Sequence, residues 1–116
     1  MKYFNLALFI VLLSACSAIQ LQKGAEKVRL TNLKPSNDCK FLGDITGSQG
    51  NFVTGKWTSN SDLETGARND LKNQAFSMGG NVVVILTQRA GITGNYNNQR
   101  QTNVTATGNV YDCSNE

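Results

Sequence analysis

The sequence contains no histidine among its 116 residues. This absence excludes Ser-His-Asp and Cys-His catalytic arrangements and histidine-ligated zinc sites within the chain. The eight acidic residues form no convincing catalytic pair, since Asp62 and Glu64, two positions apart on a predicted helix, do not share a face. We therefore predict a protein that is not an enzyme and that needs neither a cofactor nor a metal ion.

Strong charge of one sign is also lacking. Eleven Lys and Arg against eight Asp and Glu leave a formal net charge of +3, and the basic residues are dispersed along the chain. The sequence has no basic run and no RNA-binding signature. Nucleic acid is therefore not an expected partner.

The chain has no apolar run long enough to cross a bilayer comfortably as a helix. Residues 4–13 are almost all apolar, are interrupted by Asn5, and follow a single basic residue, Lys2. A short apolar segment behind a small positive region is typical of a secretory signal peptide.

The end of this apolar segment has the pattern of a bacterial lipoprotein signal, Leu-Ser-Ala-Cys, with the cysteine at Cys16. In such signals the cysteine is diacylated, the peptide is cut before it, and the new amino group is acylated. We predict a signal peptide over residues 1–15 and a lipid anchor on Cys16. By resemblance to enterobacterial lipoprotein sorting, Ser17 rather than Asp after the cysteine favours the outer membrane. The alternatives are an ordinary cleaved signal with Cys16 incidental, or a short uncleaved anchor.

Two further cysteines, Cys39 and Cys113, remain if Cys16 is acylated. In an oxidising periplasm they favour one structural disulfide. Two buried free thiols or a redox pair are the alternatives, although the sequence has no Cys-x-x-Cys motif. If Cys39 begins one strand and Cys113 follows the end of another, a disulfide requires these two strands to be antiparallel neighbours or close to it.

Apolar periodicity predicts the element order ββαββ, a single small α+β domain with one helix packed on a mostly antiparallel sheet. In the second strand, Phe41, Gly43 and Ile45 are expected to share one face. The predicted elements and connections are a polar leash over residues 16–27, the periplasmic domain over 28–116, strands at 28–31, from 39, at 81–86 and at 102–111, and loops at 47–61 and 91–101.

The predicted helix begins at a capping box formed by Ser61 and Glu64. Its apolar stripe follows at helical spacing, and Gly79 and Gly80 are expected to end it because glycine readily takes the left-handed conformation of a helix stop. The stripe consists of Leu63, Ala67, Leu71, Ala75 and Met78.

Two surfaces are candidates for binding a partner. Asn69 and Asn73 stand at i and i+4 on the polar side of the helix, where asparagine is unfavourable and therefore requires a reason. The loop after the second strand carries Phe52 and Trp57, which are costly to leave in water and suit an interface. The alternatives are an ordinary solvated helix face, and aromatic side chains that fold back onto a small core.

Four stretches carry a resemblance to a known family: Cys39-x-x-Leu42-Gly43-x-x-x-Gly47, residues 68–75 (Arg-Asn-Asp-Leu-Lys-Asn-Gln-Ala), residues 78–82 (Met-Gly-Gly-Asn-Val) and Val110-Tyr111-x-Cys113. They resemble a family of small proteobacterial lipoproteins defined as a domain of unknown function, which supplies no catalytic residues to transfer. The order of elements is also similar to that of the outer-membrane stress-sensor lipoprotein of the Rcs phosphorelay. That sensor has a longer, proline-rich leash and a second disulfide, both absent here.

Together these features predict a lipid-anchored outer-membrane protein whose domain faces the periplasm. Its expected role is that of an accessory or stress-sensor-type binding module that contacts an envelope protein near the outer membrane. The alternatives are a small cell-wall-acting enzyme and a surface-exposed inhibitor or adhesin.

Overall fold

The computed structural model describes residues 18–50 and 58–114, and these residues form one α-helix packed on a four-stranded sheet. The sheet order is β1-β3-β4-β2, with β1 parallel to β3 and all other neighbours antiparallel. The predicted α+β fold with the order ββαββ is confirmed. The elements are a short 3-10 helix (Ala25–Lys27), β1 (Arg29–Thr31), β2 (Cys39–Gly50), α1 (Asn60–Ser77), β3 (Val82–Thr93) and β4 (Arg100–Cys113).

Strand β4 lies between β3 and β2 and shows the clearest alternation in the chain. Val104, Ala106 and Val110 point to the helix side and are buried, whereas Thr105, Thr107 and Asn109 are half-buried on the open side. This is the expected pattern for a strand whose sheet has one face covered and one face open to solvent. The open side carries Asn, Thr and Tyr, so its polar character was visible in the sequence.

Strand β2 departs from simple alternation at a β-bulge. Phe41 pairs with Tyr111 and Gly43 pairs with Val110, which leaves Leu42 as the extra residue. The prediction that Phe41 shares a face with Gly43 and Ile45 is therefore wrong, because one inserted residue reverses the alternation. Phe41 lies on the open face against the ring of Tyr111, with the ring centroids 5.6 Å apart.

The strands are longer than the apolar pattern predicted. The hairpin between β3 and β4 is paired as far as Thr93 and Arg100, which shortens the predicted loop at 91–101 to residues 94–99. Cross-strand pairs of polar side chains extend the ladder, as in the hydroxyl contact of 2.6 Å between Thr87 and Thr107. Hydrophobic periodicity cannot detect a strand segment that is polar on both faces.

Helix α1 buries most of its predicted stripe but begins two residues earlier than predicted. Leu63, Ala67, Leu71 and Ala75 are fully buried, whereas Met78 is 40% exposed. The capping residue is Ser59, whose hydroxyl accepts a hydrogen bond from the Asp62 N–H at 3.1 Å.

The predicted Ser61–Glu64 capping box is therefore wrong. Ser59 and Asp62 fit the same four-residue pattern, so the sequence alone offered two equivalent starting points for the helix.

The carboxyl end of α1 is a Schellman motif, as the two glycines predicted. The N–H of Gly80 donates to the Ala75 carbonyl at 2.9 Å and the N–H of Gly79 donates to the Phe76 carbonyl at 3.0 Å. Gly79 has φ +84°, a conformation that other residues adopt only at a cost. This stop leads directly into β3.

The core divides into two clusters beneath α1. The larger cluster surrounds Leu71 and Val83, whereas the smaller consists of Leu63, Ala67 and Val104. The predicted disulfide is confirmed: Cys39 and Cys113 face each other across β2 and β4 and are bonded.

Candidate functional site

The polar segment that precedes β1 lies across the helix face that points away from the sheet. We call residues 19–27 the strap. The strap crosses the helix face that carries Asn69, Asn73 and Phe76. Because successive residues of an α-helix are rotated by about 100°, this face lies opposite the buried stripe. Helix α1 is thus held between the sheet on one side and the strap on the other.

Asn73 makes the most specific contact with the strap. Its side-chain N–H donates to the Gln20 carbonyl at 2.9 Å, and its side-chain oxygen accepts from the Gln22 N–H at 2.8 Å. The side chain is 9% exposed, so water cannot readily replace these bonds. One amide group thereby satisfies a donor and an acceptor of the strap backbone, as a neighbouring strand would.

Asn69 and Gln49 hold the beginning of the strap. The Asn69 side chain donates to the Ile19 carbonyl at 2.7 Å, and the Gln49 side-chain oxygen accepts from the Ile19 N–H at 2.7 Å. Gln49 reaches this position by crossing Gly66 of α1, where a Cβ atom would collide with the Gln49 side chain. The absence of a side chain at Gly66 therefore opens the path from β2 to the strap.

The rest of the strap joins the core. Ala25, in the 3-10 helix, is fully buried, and Val28 immediately after the strap belongs to the larger core cluster. Gly24 lies directly against the ring of Phe76 and has φ +98°. The polar leash predicted at residues 16–27 is thus docked on the domain from Ile19 onward.

The structure therefore gives the two predicted asparagines a physical reason for their helical spacing. Both side-chain amides contact the chain's own backbone at residues 19–22. Cys16, Phe52 and Trp57 lie outside the described residues, so their predicted roles stay predictions.

Sequence reasoning missed Gln49 and Gly66 as part of this site. A glutamine at the end of a strand and a glycine inside a helix carry no recognisable motif. The glycine was nevertheless a signal, because glycine within a helix is destabilising by about 1 kcal/mol relative to alanine and so requires a reason.

Two other polar side chains of α1 stabilise the contact between the helix and the sheet. Asp70 and Gln74 of α1 cover the outer edge of β2: the Asp70 carboxylate accepts from the Ser48 N–H at 2.9 Å, and Gln74 donates to the Thr46 carbonyl at 2.7 Å. Covering an edge in this way prevents its pairing with another chain.

Across residues 18–50 and 58–114, no cluster of three or more Cys, Asp or Glu is placed to hold a metal ion. No helix in these two segments is long and apolar enough to cross a membrane.

Comparison with known proteins places this arrangement in a family. The family model described as "Domain of unknown function (DUF4156)" matches residues 19–113, from the first clamped residue of the strap to the second disulfide cysteine. The "Uncharacterized protein YjeI" of Escherichia coli strain K12 is 33% identical over 107 residues, which cover 90% of this chain and 89% of the relative. The protein of the same description from Shigella flexneri is similar to the same extent. The chain therefore belongs to the DUF4156 family.

Proposed function

We propose that this protein is a non-enzymatic lipoprotein of the bacterial outer membrane, anchored through Cys16, with its domain in the periplasm. The observation that carries the proposal is the position of the lipoprotein signal relative to the strap. The predicted signal peptide ends directly before Cys16, and Ile19 is already held by Asn69 and Gln49. An acylated cysteine would thus be followed almost at once by the folded domain.

The disulfide supports an extracytoplasmic location. The bond between Cys39 and Cys113 joins residues 74 positions apart in sequence, and structural disulfides of this kind persist in oxidising compartments such as the periplasm. The signal-like residues 1–15 agree with export to that compartment.

We further propose that the domain binds another envelope protein. Phe52 and Trp57 are our candidates for this contact, because aromatic side chains contribute strongly to protein interfaces. Asn69 and Asn73 we assign to the strap, since their amide groups already bond to its backbone. A stress-sensor-type role is one form that such binding would take.

The anchor is tested by metabolic labelling with a clickable palmitate analogue in growing cells, followed by separation of inner and outer membranes on a density gradient. The account predicts label on the wild-type chain in the outer-membrane fraction, and no label on Cys16→Ser. Ser17→Ala is the matched control and should be labelled like the wild type. Label on Cys16→Ser, or none on the wild type, would contradict the proposal.

Partner binding is tested by photo-crosslinking in intact cells. A photoreactive amino acid in place of Trp57 should form a specific adduct with an envelope protein, and the adduct should be lost in Cys16→Ser. The same amino acid in place of the exposed Leu33, which lies in the connection between β1 and β2, is the control for chance contacts. Equal adducts at both positions, or none at position 57, would contradict this part of the proposal.

A further inference from the structure

We infer that the strap face of the domain lies against the phospholipid bilayer and that the open face of the sheet points away from it. This inference rests on the proposed lipid anchor at Cys16. It goes further by assigning an orientation to the anchored domain and a membrane contact to named residues. The proposed partner of the strap face is phospholipid.

The length of the chain between the anchor and the strap is the first argument. Three residue steps separate Cys16 from Ile19, and a fully extended chain spans at most about 3.5 Å per residue, or about 11 Å in total. Because Ile19 is fixed to α1 through Asn69 and to β2 through Gln49, the bilayer surface must lie within about this distance of the strap.

The thickness of the domain is the second argument. A helix with its side chains is about 10–12 Å across, and the sheet forms a further layer behind α1. Ile19 is bonded to the Gln49 side chain on the helix side of the edge strand β2. If the open sheet face lay on the bilayer, the chain from Ile19 would have to bend around β2 and pass the side chains of the open face to bring Cys16 to the lipid. The available length of about 11 Å does not allow this path.

The chemistry of the strap face is the third argument. Leu21 of the strap and Phe76 of α1 are apolar yet 37% and 43% exposed. Exposed basic residues accompany them, with Lys23 and Lys27 on the strap opposed there by Glu26. Apolar side chains beside a modest excess of positive charge suit an interface with anionic phospholipid headgroups.

The open face of the sheet has a different character. Thr46, Thr107 and Thr87 form a row across β2, β4 and β3 on this face, and polar side chains surround them. Phe41, which is 53% exposed, also lies on this face, against the ring of Tyr111. In the inferred orientation the face is presented to the periplasm, where protein partners would meet it.

The test uses the mature acylated protein in vesicles of phosphatidylethanolamine and phosphatidylglycerol that contain a nitroxide-labelled lipid. One cysteine is introduced at a time and coupled to a fluorescent dye, either by Lys72→Cys beside the strap on α1 or by Thr46→Cys on the open sheet face. Because Cys39 and Cys113 are bonded to each other and Cys16 carries the lipid, the introduced thiol is the one that reacts. We expect several-fold stronger quenching of the dye at position 72 than at position 46.

A lengthened tether is the matched control for orientation. About twelve Gly and Ser residues inserted between Ser17 and Ala18 have an average end-to-end distance of about 20 Å, which would free the domain to rotate. The inference predicts that this insertion reduces the difference in quenching between the two positions. Equal quenching in the original chain, or stronger quenching at position 46, would overturn the inference while leaving the anchor intact.

Mass spectrometry of the reconstituted protein distinguishes a failure of the proposed lipid anchor from a failure of the inferred orientation. Acyl chains on Cys16 together with reversed quenching would overturn the orientation alone. A chain without acyl groups would overturn the proposed anchor and, with it, the orientation that depends on it.

Discussion

The two ends of the sheet are fastened in different ways. At one end, the disulfide joins β2 to β4, and the Asn81 side chain forms two hydrogen bonds with the Cys113 backbone, of 2.7 and 2.8 Å. At the other end, the hairpin of β3 and β4 relies on hydroxyl pairs such as Thr93 with Thr102, 2.8 Å apart, and the buried Gln101 Nε2 has no partner among the described residues. We therefore expect the disulfide end to be the more stable of the two.

The strap connects these two ends. It begins beside Gln49, near the end of β2 that faces the hairpin, and leads into β1 at the disulfide end. Its contacts with α1 are polar at the first end and apolar at the second, where Ala25 is buried. The strap therefore joins the region nearest the proposed anchor to the most stable part of the core.

The largest expected effect is at the disulfide end. Replacing both cysteines, Cys39→Ser with Cys113→Ser, should lower the free energy of unfolding by about 4 kcal/mol, since the bond closes a long loop in the unfolded chain. Urea denaturation of the double variant against the oxidised wild type measures this difference. The reduced wild type serves as control and should match the double variant. A loss below about 1 kcal/mol would show that the disulfide end is not the stronger one.

The second effect concerns the strap. Asn73→Ala removes two hydrogen bonds and leaves the Gln22 N–H and the Gln20 carbonyl without their partner, so we expect a loss of about 2–3 kcal/mol. Tryptic cleavage after Lys23 should also become faster. Lys72→Ala on the same helix turn is the control and should change the cleavage rate little. Unchanged cleavage in Asn73→Ala would mean that Asn73 does not hold the strap.

The third prediction distinguishes the contribution of the Asn81 side chain to stability from that of the neighbouring disulfide. Asn81→Ala should destabilise the fold by about 2 kcal/mol, because two hydrogen bonds to the Cys113 backbone are lost. Thermal unfolding measures it with the disulfide intact. The control is Asn98→Ala in the exposed hairpin turn, for which we expect a change within about 0.5 kcal/mol. Equal losses of stability in Asn81→Ala and Asn98→Ala would contradict the proposed difference in stability between the two ends of the sheet.

The smallest expected effect concerns the capping residue of α1, near the hairpin end. Ser59→Ala should cost about 1 kcal/mol because it removes the helix cap, whereas Ser61→Ala should be nearly neutral. Chemical denaturation of both variants provides the comparison. A larger loss of stability for Ser61→Ala than for Ser59→Ala would instead support the capping box predicted from the sequence.

The fold was accessible from the sequence wherever apolar periodicity was strong. The buried stripe of α1, the alternation of β4 and the glycine stop at Gly79 each left a clear pattern. The disulfide pairing followed from the number of cysteines, and the antiparallel placement of β2 beside β4 followed from the disulfide. The predictions failed where one residue changes the geometry, as with the bulge at Leu42, or where two residues fit the same pattern, as with Ser59 and Ser61.

The strap illustrates why the site was only partly predictable. The spacing of Asn69 and Asn73 led us to predict a contact with a partner, whereas the structure shows both side chains bonded to the chain's own backbone. The identity of that contact depended on Gln49 and on residues 19–22, which are distant in sequence and polar. Side-chain bonds to a distant backbone leave no periodic signal, so only the three-dimensional structure brings these residues together.

The most direct test of the account is hydrogen exchange at the backbone amides of Ile19 and Gln22, followed by NMR in the oxidised protein. The account predicts that both amides are protected, because Gln49 and Asn73 accept their hydrogen bonds, and that Asn73→Ala removes the protection at Gln22. Exchange of both amides at the rate of an unfolded chain in the wild type would contradict the strap and the membrane orientation inferred from it.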